Sequence, residues 1–245
     1  ASLQKEHSKL AMRFSNDNVL FWQDGQLLVN KVATDLKTSL DLDRSTRTLT
    51  LNDANISLNG ITFDVKGTLK RDTVRRALNV DIAYALHAPS LETVFNMIPE
   101  SVLKRESMEA RGSVKMEGDV KGWYGKQQMP AVTLKVQIDK ASAKYDKLPY
   151  GIDNFTADFY AFVDLMRKQP SYADLKIFHF QGAHTDILAD AKIMNLLEDP
   201  DITFNTKSKV DLTALAQAFP LQEGVTIGGD LEADLRLKCR LSSIK

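Results

Sequence analysis

The chain has 245 residues, 43% of them hydrophobic, which is enough for a sizeable buried surface and argues against disorder. Its 32 lysines and arginines balance 32 aspartates and glutamates, so it lacks the basic excess of most nucleic-acid-binding proteins. One cysteine, Cys239, leaves no internal disulfide, and no apolar run reaches the length that spans a bilayer.

The first 26 residues are the least regular. Ala1 to Phe14 is polar with scattered apolar positions, in keeping with a short helix or a frayed start. Asp24-Gly25 reads as a turn between Val19–Trp22 and Leu27–Val32. The opening residue is not methionine, as in an excised fragment or processed product, so any membrane anchor is expected in a parent chain, outside this segment.

From Leu27 onward the period is two, the signature of half-buried strands. Leu36, Leu40 and Leu42 share one face, and Asp43-Arg44-Ser45 turns into Leu49 and Leu51. Ile56 and Leu58 precede Asn59-Gly60, a strong hairpin signal. Ile61, Phe63 and Val65 then alternate with Thr62, Asp64 and Lys66. Leu69 to Arg76 reads as a charged connection, followed by Leu78, Val80, Ile82, Tyr84 and Leu86 in alternation. A short helix near 90–98 follows, capped by Ser90, with Leu91, Val94, Phe95 and Ile98 on one stripe and Pro99 at its end.

The polar connection Ser101 to Glu109 leads to a strand from Gly112 through Val114, Met116 and Val120. Lys121 to Pro130 reads as a loop carrying Trp123 and Tyr124. Val132, Leu134, Val136 and Ile138 form the next strand, and Tyr145 to Tyr150 turns into Phe155, Ala157, Phe159, Ala161 and Val163. Lys168 to Ser171 is a turn. Leu175 and Ile177, then Ile187, Ala189, Ala191 and Ile193, continue the pattern. Ile202 and Phe204 lead to a second helix near 211–219, capped by Asp211, with Leu212, Leu215, Ala216 and Phe219 on its stripe and Pro220 after it. Gly228-Gly229 precedes Leu231, Ala233, Leu235, Leu237, Cys239 and Leu241.

The two helices head matching contexts: strand, helix, glycine, strand. This predicts two tandem similar β modules, 27–122 and 123–245, after an unclear segment 1–26, with roughly a dozen strands in all. The fold class expected is mostly β: an antiparallel, strongly curved sheet, either a taco-like groove or a sandwich, with one short helix per module. Two short helices cannot cover so many apolar strand faces. The cover is either a second sheet or something outside the chain.

Several stretches resemble the carboxy-terminal region of AsmA-type proteins. They are Leu-x-Gly-Ile-x-Phe-x-Val-x-Gly at 58–67, the strand at 78–84, Ser-Leu-Glu-Thr-Val-Phe-Asn-Met-Ile-Pro, and Gly-Ser-Val-Lys-Met-Glu-Gly at 112–118. Val-Asp-Leu-Thr-Ala-Leu-Ala and Gly-Gly-Asp-Leu-Glu-Ala-Asp-Leu in the second half are similar. The resemblance implies a periplasmic module of a Gram-negative envelope protein anchored in the inner membrane. It implies a role in outer-membrane biogenesis or phospholipid movement between membranes, and an architecture related to bridge-like lipid-transfer proteins. The expected function is therefore non-enzymatic, with lipid, phospholipid above all, as partner. Ile61, Phe63, Val65, Val80, Ile82, Val132, Leu134, Val136 and Leu231 are the candidates to shield acyl chains. Arg71, Arg75, Arg76, Trp123 and Tyr124 are the candidates to meet headgroups or a membrane surface. The alternative is a protein-interaction scaffold for other envelope proteins, with a closed sandwich core and no ligand.

Catalytic patterns are lacking: no nucleophile elbow, zinc-protease helix, phosphate loop or dinucleotide fingerprint occurs. No cofactor or metal is expected. His179, His184 and Asp186 straddle Gly182 in a hairpin and have no further histidine or cysteine nearby, so they read as strand histidines. Asp139 with Asp146, and Glu198, Asp199 and Asp201, read as solvated turn carboxylates rather than an acid/base pair. Cys239 reads as a small buried hydrophobe.

Overall fold

The computed structural model describes residues 6–23, 26–97, 108–145, 149–218 and 226–243. The alternating pattern is realised as one sheet of twelve antiparallel strands whose spatial order is the chain order. The strands of the first half are β1 (His7–Gln23), β2 (Gln26–Asp43), β3 (Thr48–Leu58), β4 (Ile61–Asp72), β5 (Ala77–Ala88) and β6 (Met108–Tyr124). Those of the second half are β7 (Ala131–Tyr145), β8 (Ile152–Val163), β9 (Tyr172–Gly182), β10 (Thr185–Met194), β11 (Asp201–Asp211) and β12 (Asp230–Arg240). Helix α1 (Leu91–Met97) lies between β5 and β6, and α2 (Leu212–Ala218) between β11 and β12. No described helix is long and apolar enough to cross a membrane.

A meander of this kind needs only local turns, and the sequence supplies them. Asn59-Gly60 and Ala183-His184 both place two consecutive residues at positive φ (49° and 86°; 50° and 55°), the conformation of a tight hairpin turn. At three turns the aspartate just before them folds back. Asp43 Oδ1 accepts from the Ser45 and Thr46 amides, and Asp72 Oδ1 from those of Val74 and Arg75. Asp164, only 6% exposed, accepts from the amides of Met166, Lys168 and Gln169.

The sheet is open: β6 pairs directly with β7, and β1 and β12 are its edges. The sandwich arm of the sequence reading is corrected by this topology. A sandwich would bury large apolar side chains between two layers. Among the described residues the buried hydrophobics are mostly alanines, and no large side chain is fully buried. The accessible surface, 16707 Å², exceeds the roughly 11,000 Å² expected for a folded monomer of this mass. A single layer accounts for the difference.

Several local expectations change as well. Residues His7–Gln23 are a long edge strand rather than a helix or frayed end, since Leu10, Met12 and Phe14 already alternate and pair with Leu40, Thr38 and Leu36. Strand β4 runs on to Asp72, so Lys70 and Arg71 are strand residues, and Thr73–Arg76 alone form the turn. Strand β6 continues to Tyr124, so the expected loop at 121–130 begins only after it. Leu175 and Ile177 do not share a face: a bulge between Leu175 and Phe178 sends Ile177 to the other side, and Phe178 and Phe180 take its place. Cys239 is half-buried rather than buried. The turn Asp24-Gly25, the helix-end residues Ile98, Pro99, Phe219 and Pro220, and Asp146 lie outside the described residues.

The Asp211 cap is formed as the sequence suggests, with Oδ1 accepting from the Ala214 amide at 2.9 Å. The side chain that α2 buries most deeply is nevertheless off the expected stripe. Ala214, 2% exposed, packs on Ala183 of the β9–β10 turn, with Tyr150 against the pair.

Candidate functional site: an uncovered apolar face

Residues directly opposite in an antiparallel pair point to the same side of the sheet, so the register can be followed from strand to strand. Val65 lies across from Tyr84, Tyr84 from Gly118, Gly118 from Leu134, and Leu134 from Ala161. Ala161 leads through Ala173 and Ile193 to Ile202 and Cys239. In the other direction, Phe63 meets Ile56, Ile56 meets Leu36, and Leu36 meets Phe14. One apolar face therefore crosses all twelve strands, and the bulges keep it in phase: each inserted residue restores the alternation that a shifted pairing would lose.

All nine acyl-chain candidates fall on this face. Ile61, Phe63 and Val65 lie on β4, Val80 and Ile82 on β5, Val132, Leu134 and Val136 on β7, and Leu231 on β12. The register brings the first eight into one field across β4–β7 and leaves Leu231 at the far edge, opposite Val210. Phe155, already in the alternating run of its strand, and Phe178, which the pattern did not reveal, join the same face as an edge-to-face pair 5.5 Å apart.

How this face is buried is informative. On interior strands its large side chains are mostly half-buried, with Val32 and Val210 buried and Leu42 exposed. On the edge strands they are exposed: Leu10 is 59% exposed and Leu231 51%. Side chains covered by a second layer would be buried at edge and centre alike. Here the shielding comes from lateral neighbours, two for an interior strand and one for an edge strand. Among the described residues, α1 touches β2, β5 and β6 and α2 touches β11 and β12, and no second sheet covers the rest of the face.

One close packing arrangement organises its centre. Tyr84 lies over Gly118 and donates from its hydroxyl to the Thr133 carbonyl at 2.8 Å. A β-carbon at Gly118 would collide with that carbonyl oxygen and sit 2.6 Å from the Tyr84 hydroxyl, so only glycine lets the ring lie flat. Burial, and secondarily the Asp119 charge, pushes the Tyr84 hydroxyl pKa up, which keeps it a donor.

The opposite face is polar and stitched by cross-strand ion pairs. Lys9–Asp41 (3.7 Å), Lys135–Glu117 (3.1 Å), Lys207–Asp234 (3.7 Å) and Lys209–Glu232 (3.3 Å) each join directly opposed residues. Each contributes little energy but penalises a slipped register. A hollow of about 670 Å³ is on this side, lined among others by Asp53, Lys66, Glu117, Asp119, Lys135 and Tyr160. Its charges are mixed, and Lys135–Glu117 and Thr133–Asp119 already satisfy one another across it.

The basic and aromatic candidates sit at the strand ends on one side of the sheet. Arg71 is the penultimate residue of β4, and Arg75 and Arg76 lie in the β4–β5 turn. Trp123 and Tyr124 end β6 and face opposite ways, Trp123 across from Asn79 and Tyr124 from Leu78. The Arg75 guanidinium stacks over Trp123 at 4.7 Å. The histidines separate: His179 Nε2 contacts Asp186 Oδ1 at 3.0 Å, whereas His184 Nδ1 contacts Asp211 at 3.4 Å. No group of three metal-ligating side chains occurs among the described residues. Asp199 and Asp201 both pair with Arg240, and that guanidinium holds the Asp201 pKa down. No family model, curated protein or solved structure matches this chain.

Proposed function

We propose that this chain is a non-enzymatic, lipid-handling module of a bacterial envelope protein, of the AsmA type, acting in the periplasm in outer-membrane biogenesis or phospholipid movement between membranes. In this reading the sheet curves into a groove, two tandem modules lengthen it, and a parent chain carries the membrane anchor. The observation that carries the proposal is the apolar face that crosses twelve strands with no second sheet over it among the described residues. A bare surface of that extent in water favours a partner. Acyl chains suit it, because burying each methylene yields about 0.8 kcal/mol with no need for directional chemistry. Lipid would lie on Ile61, Phe63, Val65, Val80, Ile82, Val132, Leu134 and Val136, with its headgroup toward water or toward Arg71, Arg75, Arg76, Trp123 and Tyr124. Native mass spectrometry of protein purified without detergent tests the reading. Bound phospholipid masses are expected, and protein that is consistently lipid-free would sink it.

A second reading is favoured by the open edges. Strands β1 and β12 each offer an unpaired side, to which a strand of another envelope protein could add. Cross-linking in cells that captures protein partners at β1 or β12, with no lipid on the sheet, would select it.

A further inference from the structure

Among the described residues, the turns at the two ends of the strands differ in charge. At one end lie the turns β2–β3, β4–β5, β6–β7 and β8–β9. These four carry Arg44 and Arg47, Arg75 and Arg76, Lys126, and Arg167 and Lys168, against one acid, Asp164; the fifth turn at this end, β10–β11, is acidic, with Glu198 and Asp199, so the basic row stops at β9. Asp164 is turned inward onto its own loop amides, so it does little to offset the bases. At the other end, the described turn residues 59–60, 149–151, 183–184 and 226–229 contain neither lysine nor arginine. Among the described residues, Arg44, Arg76, Lys126, Arg167 and Lys168 make no ion pair. The same basic end displays apolar side chains to solvent: Val74 is 93% exposed at the tip of its turn, and Leu165 and Met129 are also exposed.

The first two of these tips are tied to each other and to the end of β6. Arg47 donates to Thr73 Oγ1 at 2.7 Å, the Arg71 amide donates to the Arg47 carbonyl at 3.0 Å, and Arg75 stacks on Trp123. At about 4.8 Å per strand, four alternate turns make a row roughly 30 Å long. Bases and exposed aliphatics in one row match an anionic membrane surface: phosphates attract the cations, and the interface accepts the apolar tips. A charged protein surface would reward the bases but not Val74 or Leu165.

We infer that this row of turns docks the sheet, strand ends first, onto the surface of an anionic phospholipid bilayer. The inference rests on the lipid-handling reading for the class of its partner and shares Arg75, Arg76 and Trp123 with it, but concerns the strand ends rather than the apolar face. The test is flotation of the full chain with vesicles of phosphatidylcholine alone or mixed with phosphatidylglycerol. Binding is expected only to the mixed vesicles, falling as salt is raised. Combined Arg44→Gln and Arg76→Gln should weaken it about thirty-fold, and Val74→Asp should weaken it further. Combined Lys207→Gln and Lys209→Gln, which remove the same charge from the polar face of β11, should leave it unchanged. Equal loss from the two double variants, equal binding to both vesicle types, or no flotation would each overturn the docking. Phospholipid found by native mass spectrometry in a protein that does not float would overturn the docking alone, and flotation by a protein that carries no lipid would overturn the lipid-handling reading alone.

Discussion

Val136→Asp places a charge in the middle of the apolar face, where Val136 is flanked by Met116 on β6 and Phe159 on β8. The position is half-buried and faces no described residue across the sheet, so the carboxylate can reach water and the strand can still form. If the charge strips contact from about four methylene groups of a bound chain, the loss is about 3 kcal/mol, or roughly 150-fold in lipid retention. The assay is the fraction of protein carrying phospholipid in native mass spectra, alongside far-ultraviolet circular dichroism to show that strand content is kept. Thr203→Asp is the matched control: it adds the same charge to the polar face, between Lys192 and Lys238. Lipid occupancy should fall in Val136→Asp and hold in Thr203→Asp. Equal occupancy in the two variants, with both folded, would refute the assignment of lipid to this face.

Other expectations are independent of lipid. Tyr84→Phe removes the hydroxyl bonded to Thr133 and should cost about 1 kcal/mol, whereas Gly118→Ala should cost about 1–3 kcal/mol because backbone must shift. Urea denaturation followed by tyrosine fluorescence distinguishes them, and a neutral Gly118→Ala would remove the glycine argument. Asp164→Ala leaves three loop amides without their acceptor and should expose Arg167-Lys168 to trypsin, read as faster appearance of two fragments. Hydrogen bonds from Ser45 and Thr46 lower the Asp43 pKa, the Ala214 amide lowers that of Asp211, and Arg240 lowers that of Asp201, each from an ordinary 3.8. Folded values below unfolded ones mean that the stability these groups supply is complete above about pH 4 and is lost as pH falls through the folded values. Asp43→Asn should therefore lose more stability at pH 7 than at pH 2; equal losses at both would contradict the assignment.

Much of the sheet was legible because period two survives in almost every strand, and because Asn59-Gly60 and Gly228-Gly229 punctuate it. What failed did so for local reasons. The first strand was missed because lysine and arginine on its polar side dilute the alternation of Leu10, Met12 and Phe14. Ile177 was assigned to the wrong face because a bulge adds a residue without any glycine to mark it. Trp123 and Tyr124 look like loop residues in sequence, since the glycines at 122 and 125 flank them, yet both are paired on β6. The acyl-chain candidates could be grouped by alternation within each strand, but only the register could place them on one side of the sheet. Two aromatic stacks on the polar side, Tyr160 and Phe162 with Tyr172, had no signal beyond their places between the apolar positions.

The single layer also sets how the molecule comes apart. Apart from the two short helices, each strand is held by its sequence neighbours, two for an interior strand and one for an edge, and among the described residues no core of large buried side chains couples β2 to β11. Stability then propagates as in a linear array, where each unit depends on its own folding and on the two interfaces beside it. Fraying from the β1 and β12 edges costs one interface at a time, while opening at β6 and β7 breaks the array in two. Amide hydrogen exchange should accordingly be slowest near the middle strands and quicken stepwise toward both edges, with no single free energy describing the whole chain.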